Sequence, residues 1–365
     1  MSEWQTFCLK DLGKIVGGAT PPTNNPKNYG NKIAWITPKD LSTLQGRYIK
    51  KGSRSISRLG FKSCSCVLLP KHAILFSSRA PIGYVAIAKK RLCTNQGFKS
   101  IIPYKKIYFE FLYYLLKYHK DNISNIGGGT TFKEVSGATL GLFEVKIPPT
   151  YYEQQKIART LSILDQKIEN NHKINELLHT LAYKIYEYYF KYKPKNAKLE
   201  QIIIENPKSS IMVKNAQKTQ DKYPFFTSGD NILSYPIAII DGRNCFLNTG
   251  GNAGIKFYVG KASYSTDTWC IGANEFSDYL YLLLSSIKNH INQSFFQGTS
   301  LKHLQKNLLK KYPIYMPSAH EIKKFNQIMM PLLTLISINT RTSKKLEQIR
   351  DFLLPLLLKQ QVKPQ

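Results

Sequence analysis

Few residue patterns in this sequence carry out chemistry. An enzyme that methylates base amino groups places Asn, Asp or Ser ahead of Pro-Pro-Tyr or Pro-Pro-Phe, so that this side chain accepts from the amino group. The candidates here, TPPT (20–23) and IPPT (147–150), lack both that acceptor and the aromatic ring. No acidic pair with a lysine is arranged for a metal-dependent nuclease. The sequence therefore favours a chain that does no chemistry itself.

The remaining motifs of this kind have simpler explanations. TGGNAG (249–254) is similar to a phosphate-binding loop, but no Gly-Lys-Ser/Thr follows it, and its place between two strand-like runs predicts a hairpin turn. The seven histidines are dispersed. His172 and His179 lie seven residues apart in a helical pattern, which favours a helix face over a metal site. We expect no metal ion in this chain.

Cysteines and hydropathy place limits on the compartment. The one close pair, Cys64 and Cys66, lacks a second pair at metal-ligand spacing, so the six cysteines are predicted to be buried free thiols in a reducing cytoplasm. The sequence contains no apolar run of about 18 residues, so no transmembrane helix is predicted. The first residues lack the charged start and apolar block of a signal peptide. We expect a cytoplasmic protein with no membrane partner.

Charge gives the strongest indication of a partner. The net charge is +29 and the isoelectric point is near 9.7. Residues 1–150 carry 23 Lys and Arg against 7 Asp and Glu, and residues 195–316 carry 14 against 8. A membrane surface would attract this charge too, but no basic amphipathic helix or lipidation signal accompanies it. The balance favours nucleic acid, although a merely Lys-rich soluble protein would account for part of the charge.

Two stretches that begin alike, 168 residues apart, predict the elements that organise the chain. They are PTYYEQQKIARTLSILDQKIENN from Pro149 and PSAHEIKKFNQIMMPLLTLISIN from Pro317. Each contains a capping box, in which a hydroxyl and a glutamate three residues later satisfy backbone amides at a helix start. An apolar 4-3 period follows for more than four heptads and predicts a coiled-coil seam about 60 Å long. Pro331 and Pro355 are expected to bend or fray the second helix.

Polar residues in the middle of both seams bear on how the helices pair. An antiparallel pair with flush ends matches Asn171 with Ser343 and Asn175 with Asn339, whereas a parallel pair exchanges these partners. The connection of more than 120 residues favours the antiparallel pair. The alternative is that each helix packs separately on its own domain. The predicted seam consists of Leu161, Leu164, Ile168, Asn171, Asn175, Leu178, Met329, Leu332, Ile336, Asn339, Ser343 and Leu346.

The segments between the helices repeat as well. Each has short strand-like runs and one aromatic–leucine helix, FEFLYYLLKYH in the first and DYLYLLLSSIKNHI in the second. Further echoes follow in the same order: KDLGKIVGG with KLEQIIIEN, AWITPKD with PFFTSGD, LFSSRAPIGYVAIA with FLNTGGNAGIKFYVG, and CTNQGF with YSTDTW. The chain is therefore predicted to contain one unit of domain plus helix, written twice.

This constellation resembles the specificity subunit of type I restriction–modification systems over nearly the whole chain. The motifs that carry the resemblance in the first half are GGATPPTNNPKNYGNKIAWITPKDL, SSRAPIGYVAIA, TNQGF, GGGTTFKEVS and IPPTYYEQQKIARTLSILDQKI. In the second half they are YPFFTSGD, YSTDTW, QGTSLKHL and MPSAHEIKKF. The second half departs from the pattern, because HEIKKF replaces YEQQKI and nothing matches the GGATPP turn.

The resemblance implies an α+β fold with a pseudo-twofold internal repeat. Two globular α/β target recognition domains, 1–148 and 194–316, would be separated by two long antiparallel coiled-coil helices, 149–193 and 317–362. Each domain would read one half of a bipartite, asymmetric site in double-stranded DNA, and the helices would set the spacing. Modification (methyltransferase) subunits would dock on the helices and restriction subunits would join them. S-adenosylmethionine and ATP are then implied for those partners, with no cofactor in this chain.

Candidate DNA contacts follow from the loops that this resemblance places on the domains, where Lys and Arg would bind phosphates and polar side chains would contact base edges. Each of these residues has an ordinary turn or capping role as its alternative explanation. The candidates are Lys39, Ser78, Arg79, Thr94, Asn95, Gln96, Thr130, Thr131, Lys133, Ser228, Asn248, Thr249, Thr266, Asp267, Thr299, Ser300 and Lys302. Other functions left open are the recognition part of a methyltransferase or nuclease with undetected chemistry, and a basic coiled-coil structural protein.

Overall fold

Two long helices run through the computed structural model, which describes residues 3–129, 133–216 and 222–364. The first long helix, Tyr151–Tyr186, has 36 residues and continues into a π-helical turn, Glu187–Lys191. The second long helix, Ala319–Leu358, has 40 residues. Of the helices in the described ranges, none is long and apolar enough to cross a membrane.

Both long helices begin at the predicted caps. The Thr150 hydroxyl accepts from the Glu153 amide at 3.2 Å, and the Ser318 hydroxyl accepts from the Glu321 amide at 3.3 Å. The Glu321 carboxylate in turn accepts from the Ser318 amide at 3.0 Å, which completes a capping box. The second long helix continues through Pro331 and ends three residues after Pro355.

The chain forms two compact units. The first comprises Met1–Glu169 with Leu346–Gln365, and the second comprises Asn170–Lys345. Each unit therefore contains one globular domain and a part of each long helix, and each is described here by itself.

The first unit is built on a five-stranded sheet and a smaller three-stranded sheet. The strands of the larger sheet, in spatial order, are Gly13–Gly17, Lys99–Pro103, Ile74–Ser78, Ile82–Ala88 and Tyr48–Ile49. The smaller sheet contains Arg54–Ile56, Tyr29–Ile36 and Cys93–Thr94, and a separate antiparallel pair joins Gln5–Cys8 to Glu144–Ile147. The helices are Leu9–Leu12, Pro38–Ser42, Arg58–Lys62, Phe109–Asn125 and Gly137–Gly141, with a 3₁₀ turn at Pro26–Asn28.

The second unit has the same plan, with four strands instead of five in its larger sheet. Its larger sheet contains Ile204–Glu205, Thr268–Gly272, Arg243–Asn248 and Ile255–Val259. Its smaller sheet contains Leu233–Tyr235, Tyr223–Phe226 and Ser263–Tyr264, and two antiparallel pairs join Ala197–Lys198 to Pro313–Ile314 and Phe296–Gln297 to His303–Leu304. The helices are Val213–Ala216, Ser277–Ser286, Lys288–Ser294 and Lys306–Lys310, with 3₁₀ turns at Leu199–Gln201 and Asn274–Phe276.

Backbone hydrogen bonds show that the two domains are repeats. In the first, Ile36 pairs in parallel with Thr94, and the next amide, of Asn95, donates to the Ile36 carbonyl at 2.9 Å. In the second, Phe226 pairs in parallel with Tyr264, and the next amide donates to the Phe226 carbonyl, also at 2.9 Å. The sequence echoes AWITPKD/PFFTSGD and CTNQGF/YSTDTW are thus structural equivalents, and the predicted internal repeat is confirmed. TGGNAG also forms the predicted hairpin turn between two antiparallel strands.

Each domain shares its hydrophobic core with both long helices. In the first unit Phe111 of the domain clusters with Leu161 of the first long helix and Leu357 of the second. In the second unit Leu283 clusters with Ala182 and Phe325 in the same way. Full burial of one such large apolar side chain contributes about 1.5–3 kcal/mol, so separating either helix from its domain would be costly. Separate packing of each helix on its own domain is therefore not what the structure shows.

A polar layer sets the register of the helices within the second unit. Asn339 donates to the Asn175 side-chain oxygen at 2.9 Å, and Asn171 donates to the Ser343 hydroxyl at 3.2 Å. These are the partners predicted for the antiparallel pair, which is thereby confirmed. Asn175 also donates to the Thr340 hydroxyl and the Ile336 carbonyl, both at 3.3 Å. All twelve predicted seam residues lie buried or half-buried.

A buried arginine fixes the first domain to the helices. Arg47 is 3% exposed, donates to Glu110 at 2.8 Å, and forms a bond of 3.1 Å to Glu169 of the first long helix. Next to it, Arg350 of the second long helix donates to Asp165 at 2.7 Å. Burial disfavours the guanidinium charge of Arg47, but the acidic groups around it outweigh this and raise its pKa. Asp165 lies on the first long helix, 3.9 Å from Arg47, so charge ties the first long helix to the domain and the second long helix to the first.

The second domain has a corresponding contact made from different residues. Arg243 donates to the two oxygens of Asp278 at 2.6 and 2.7 Å, and also to the hydroxyl of Thr334 on the second long helix at 2.9 Å. Asp278 lies 168 residues after Glu110, at the same position of the equivalent aromatic–leucine helix. The two arginine clusters are called the clamps below.

The clamps are also related through the long helices. In the first unit the Arg47 amide donates to Glu169 at 2.9 Å, and in the second the Val259 amide donates to the Ser337 hydroxyl at 3.0 Å. Glu169 and Ser337 are again 168 residues apart. Each domain is therefore tied by a backbone amide to the same position of the long helix that follows it in the chain.

All six cysteines are free thiols, as predicted. Four of them, Cys66, Cys93, Cys245 and Cys270, are buried as predicted, whereas Cys8 and Cys64 are only half-buried. Burial raises the pKa of the Cys270 thiol to about 12, so this group is inert as a nucleophile near neutral pH.

The polar layer predicts a coupling between Asn175 and Asn339. Asn175→Leu alone leaves the Asn339 amide without its acceptor and should cost about 1 kcal/mol or more, as should Asn339→Leu. The double variant should lose less than the sum of the two, because neither side chain then needs a partner. Thermal unfolding of the four proteins measures this. The control pair, Asn175→Leu with Ser343→Ala, shares no hydrogen bond and should be additive; equal behaviour of both pairs would show that the Asn175–Asn339 hydrogen bond does not couple the two positions.

The first clamp predicts a large effect of Arg47→Met. This change leaves the buried Glu110 and the half-buried Glu169 as uncompensated charges, and breaking a buried ion pair in this way costs about 3–5 kcal/mol. The midpoint of thermal unfolding should fall by several degrees and recover in part when Glu110→Gln and Glu169→Gln are added. Arg91→Met, at an exposed position, is the control. A midpoint as high as that of the control would contradict the clamp.

Candidate nucleic-acid interface

Four loops of the first domain meet on one face, and the sequence-predicted residues lie on them. The Ser78 amide donates to the Gly97 carbonyl at 2.8 Å, which joins the loop after Ile74–Ser78 to the turn at 95–97. The Val135 amide donates to the Ser78 carbonyl at 3.0 Å, which brings in the segment that follows residue 132. Gly97 also lies against Pro38, beside the helix that carries Lys39. These four loops are called the first loop face.

The side chains on the first loop face divide into two groups. Lys39, Gln96 and Lys133 are exposed, and Arg79 is 36% exposed along its side chain. Ser78 and Thr94, in contrast, are buried, and the Ser78 hydroxyl donates to the Gly97 carbonyl at 3.3 Å. Asn95 uses its side-chain oxygen to accept from the Gly97 amide at 3.0 Å. Thr130 and Thr131 lie outside the described residues.

The GGATPP turn is hydrogen-bonded to the 94–96 segment of this face. The Ala19 amide donates to the Thr94 carbonyl at 3.0 Å, and the Thr20 hydroxyl donates to the side chain of Gln96. Gly18 lies so close that an added Cβ would be 2.1 Å from the Asn95 carbonyl oxygen. Glycine is needed at this position because the two backbones approach more closely than a side chain permits.

The second domain brings the equivalent loops together. The Thr249 hydroxyl donates to the Asp267 carbonyl at 2.9 Å, and the Thr249 amide donates to the Ser228 hydroxyl at 3.3 Å. The Leu304 amide donates to the Thr249 carbonyl at 3.0 Å, as Val135 does to Ser78 in the first domain. Gly251 donates to the Lys302 carbonyl at 2.9 Å. These loops form the second loop face.

Exposure again separates the predicted residues of the second face. Those with exposed side chains are Asp267, Thr299, Ser300 and Lys302, and those that are half-buried are Ser228, Thr249 and Thr266. Asn248 is buried, and its side-chain amide donates to the Asn252 carbonyl at 3.1 Å within the hairpin turn. The exposed groups are the ones free to meet a ligand, whereas Asn248 shapes its own turn.

A half-buried lysine under the second face is a feature that the sequence reading missed. Lys256 donates to the Thr227 carbonyl at 2.8 Å and to the Asn248 side-chain oxygen at 3.3 Å. Burial lowers the pKa of this lysine, and the nearby charge of Asp230 opposes the shift. The signal in the sequence was a lysine inside the apolar run IKFYVG. Lys256 joins two loops of the face.

The charges on the faces suit a polyanion. Lys39, Arg79 and Lys133 lie on the first loop face, and Lys302 lies on the second. The Lys306 ammonium, four residues after Lys302 in the chain, lies 5.1 Å from the Trp269 ring centre. Asp40, next to Lys39, is held ionised, and its carboxylate accepts hydrogen bonds from the Thr37 and Ser53 amides. Burial opposes its ionisation, but hydrogen bonds from Ser53 and Thr37 outweigh burial and lower the pKa of Asp40. Lysine and arginine beside exposed amide and hydroxyl groups can bind phosphates and contact base edges.

The sequence reading also missed the residues that hold the faces in place. Glu110 and Asp278, which bind the clamp arginines, have a signal in the sequence, because each is the second residue of an aromatic–leucine helix. Glu134, which forms ion pairs with Arg79 and Lys99, is the one acid in GGGTTFKEVS. Arg47 has no local signal.

Comparison with known proteins gives one consistent family. The family model described as type I restriction modification DNA specificity domain matches residues 1–180 and 193–348. The type I restriction enzyme MjaIX specificity subunit of Methanocaldococcus jannaschii is 33% identical, over 98% of this chain and 93% of that protein. A putative type I specificity subunit of Mycoplasma genitalium is 23% identical over 84% of this chain and 80% of that protein.

The fold is similar to that of a solved structure. The crystal structure of a type I restriction–modification system S subunit from M. genitalium covers 97% of this chain and 96% of its own length, with a TM-score of 0.62 and 18% identity. At that identity the likeness concerns the fold.

The close approach below the first loop face predicts unequal effects of two neighbouring substitutions. Gly18→Ala places a methyl group against the backbone at Asn95 and should destabilise the first unit by about 1–3 kcal/mol. Gly17→Ala is the matched control, because an added Cβ there meets nothing within 4 Å. Thermal unfolding of both variants tests this prediction, and equal midpoints would contradict the steric account of the turn.

Proposed function

The chain belongs to the family of type I restriction–modification DNA specificity subunits, and from that membership we propose that its two domains read the two halves of a bipartite, asymmetric site in double-stranded DNA. The observation that supports this most strongly is one loop frame built twice with different side chains. Arg79 and Glu134 occupy one pair of positions in the first domain, and Gly250 and His303 occupy the equivalent pair in the second. Different side chains at equivalent backbone positions of the two domains would select different bases.

Affinity would come from the basic loop faces. Lys39, Lys133 and Lys302 are exposed, and each phosphate that a cation neutralises releases counterions. Binding should therefore weaken steeply as salt rises. Sequence preference would come from the exposed polar groups, including Gln96 and Thr299.

The long helices would set the distance between the half-sites. The first has 36 residues, and an α-helix rises about 1.5 Å per residue, so its length is roughly 54 Å. Support comes from the polar layer, which opposes sliding of one helix along the other, and from the clamps, which oppose rotation of each domain on its helix. Helices that hold two half-sites at a fixed distance need both a fixed register and domains that do not rotate.

We place the partner subunits on the outer faces of the long helices. On the first long helix Ile174, Leu177 and Leu181 are 43%, 71% and 47% exposed, and their spacing of three and four residues forms a stripe. Such a stripe fits a helix of another protein. Modification subunits would dock there and bring S-adenosylmethionine, and restriction subunits would bring ATP. This chain would perform no catalysis, and neither the methyltransferase–nuclease nor the structural alternative has a specific observation in its favour.

Selection from a random duplex library tests the proposal. The full chain, co-purified with its modification subunits, should recover one motif with two different halves and a fixed gap. Binding to that motif should fall by orders of magnitude between low and physiological salt. The same modification subunits without this chain are the control. Recovery of no motif, or the same motif from the control, would contradict the proposal.

A further inference from the structure

One carboxylate lies among the cations of the first loop face. Residues 1–150 contain seven Asp and Glu. Glu110 is buried in the first clamp, and the Asp40 carboxylate accepts hydrogen bonds from the Thr37 and Ser53 amides. Glu134, in contrast, has a side chain that is 36% exposed and lies beside Arg79. A negative group on a surface that meets phosphates is unfavourable unless it has a specific partner there.

The backbone fixes the positions of both side chains. Arg79 and Glu134 form an antiparallel bridge, and Glu134 also exchanges hydrogen bonds with Gly128, at 2.9 and 3.1 Å. A guanidinium nitrogen of Arg79 lies 3.6 Å from one Glu134 oxygen, and the Lys99 ammonium lies 3.4 Å from the other. The two side chains therefore start from bridged backbone segments, and each side chain is 36% exposed to solvent.

This arrangement matches the chemistry of one base pair. In the major groove guanine presents two acceptors, O6 and N7, to which arginine donates with both arms of its fork, and cytosine presents an N4 amino group, which a carboxylate accepts from. We propose that Arg79 and Glu134 together read a G·C pair in the half-site of the first domain. Arg79 donates to guanine, and Glu134 orients the guanidinium and accepts from the cytosine amino group. The inference rests on the proposed function and adds a base and two residues to it.

Two simpler roles account less well for the pair. A phosphate-binding arginine gains nothing from a carboxylate at 3.6 Å, since the carboxylate repels the phosphate. A structural ion pair on the surface contributes little to stability, and both side chains here are 36% exposed. The backbone bridge already holds the loop without them.

The second domain lacks this pair. Gly250 and His303 form the equivalent antiparallel bridge, and Gly250 has no side chain to direct at a base. The proposal is therefore specific to one half of the site. Changes at Arg79 and Glu134 should alter one half of the selected motif and leave the other as it is.

The experiment measures binding of the full chain, with its modification subunits, to duplexes that carry the selected motif. Each position of the motif is changed in turn to the other three base pairs. Arg79→Ala should reduce discrimination at one G·C position by roughly ten- to a hundredfold. Arg79→Lys keeps the charge but not the fork, so it should retain affinity and lose the same discrimination. Glu134→Gln should relax the same position without weakening overall binding, because it removes a negative charge.

Two controls separate this reading from general electrostatics. Lys133→Ala, an exposed cation on the same face, should weaken all duplexes alike and lower the salt slope by about 1. His303→Ala, in the equivalent bridge of the second domain, should leave the Arg79 position unchanged. Thermal unfolding of each variant confirms that it is folded.

Several outcomes would overturn the inference. Uniform weakening of all duplexes by Arg79→Ala would make this residue a phosphate contact. An unchanged profile for Glu134→Gln would reduce the carboxylate to a surface ion pair. An effect on both halves would contradict the specificity for the first domain. Failure of the wild-type complex to select any motif would instead refute the proposed function, before any variant is compared.

Discussion

The arginine clamps are the interactions on which the rest of the structure depends. A buried guanidinium must find carboxylates, because an unpaired charge in the interior costs several kcal/mol. Arg47 finds them on the aromatic–leucine helix and on the first long helix, so the charge requires these elements to meet in one orientation. The first loop face is carried by the five-stranded sheet, and Arg47 directly precedes a strand of that same sheet. A domain free to rotate on its helix would present its loops in no fixed direction.

The repeat keeps the geometry of the clamp while its chemistry changes. Glu110 and Asp278 are equivalent acids, yet their arginines come from different places, a loop in the first domain and the start of a strand in the second. The positions after them on the long helices, Glu169 and Ser337, accept from a backbone amide in both units. What the two units retain is the attachment. What they vary is the loop face, as two different half-sites require.

The sequence predicted the long helices and the repeat, because capping boxes and a 4-3 period are local signals. The antiparallel pairing was favoured by the connection of more than 120 residues, since the polar seam residues fit a parallel pair as well. Tyr151 and Ala319 begin the helices two residues after the prolines that marked them. Arg47 had no such signal, since its partner Glu169 lies 122 residues away. Ser78, Asn95 and Asn248 were predicted as base contacts because they are polar and lie in turns. Their hydrogen bonds inside the domains could not be predicted without knowing which way each turn faces.

The central claim is that one chain reads two different half-sites at a fixed distance. The most direct measurement is sequencing of methylated bases in the source genome with this gene present and with it deleted. The account predicts one bipartite motif with unlike halves, methylated in the first case and unmethylated in the second. Methylation that persists unchanged after the deletion would contradict it, as would a lost motif that is continuous or has two identical halves.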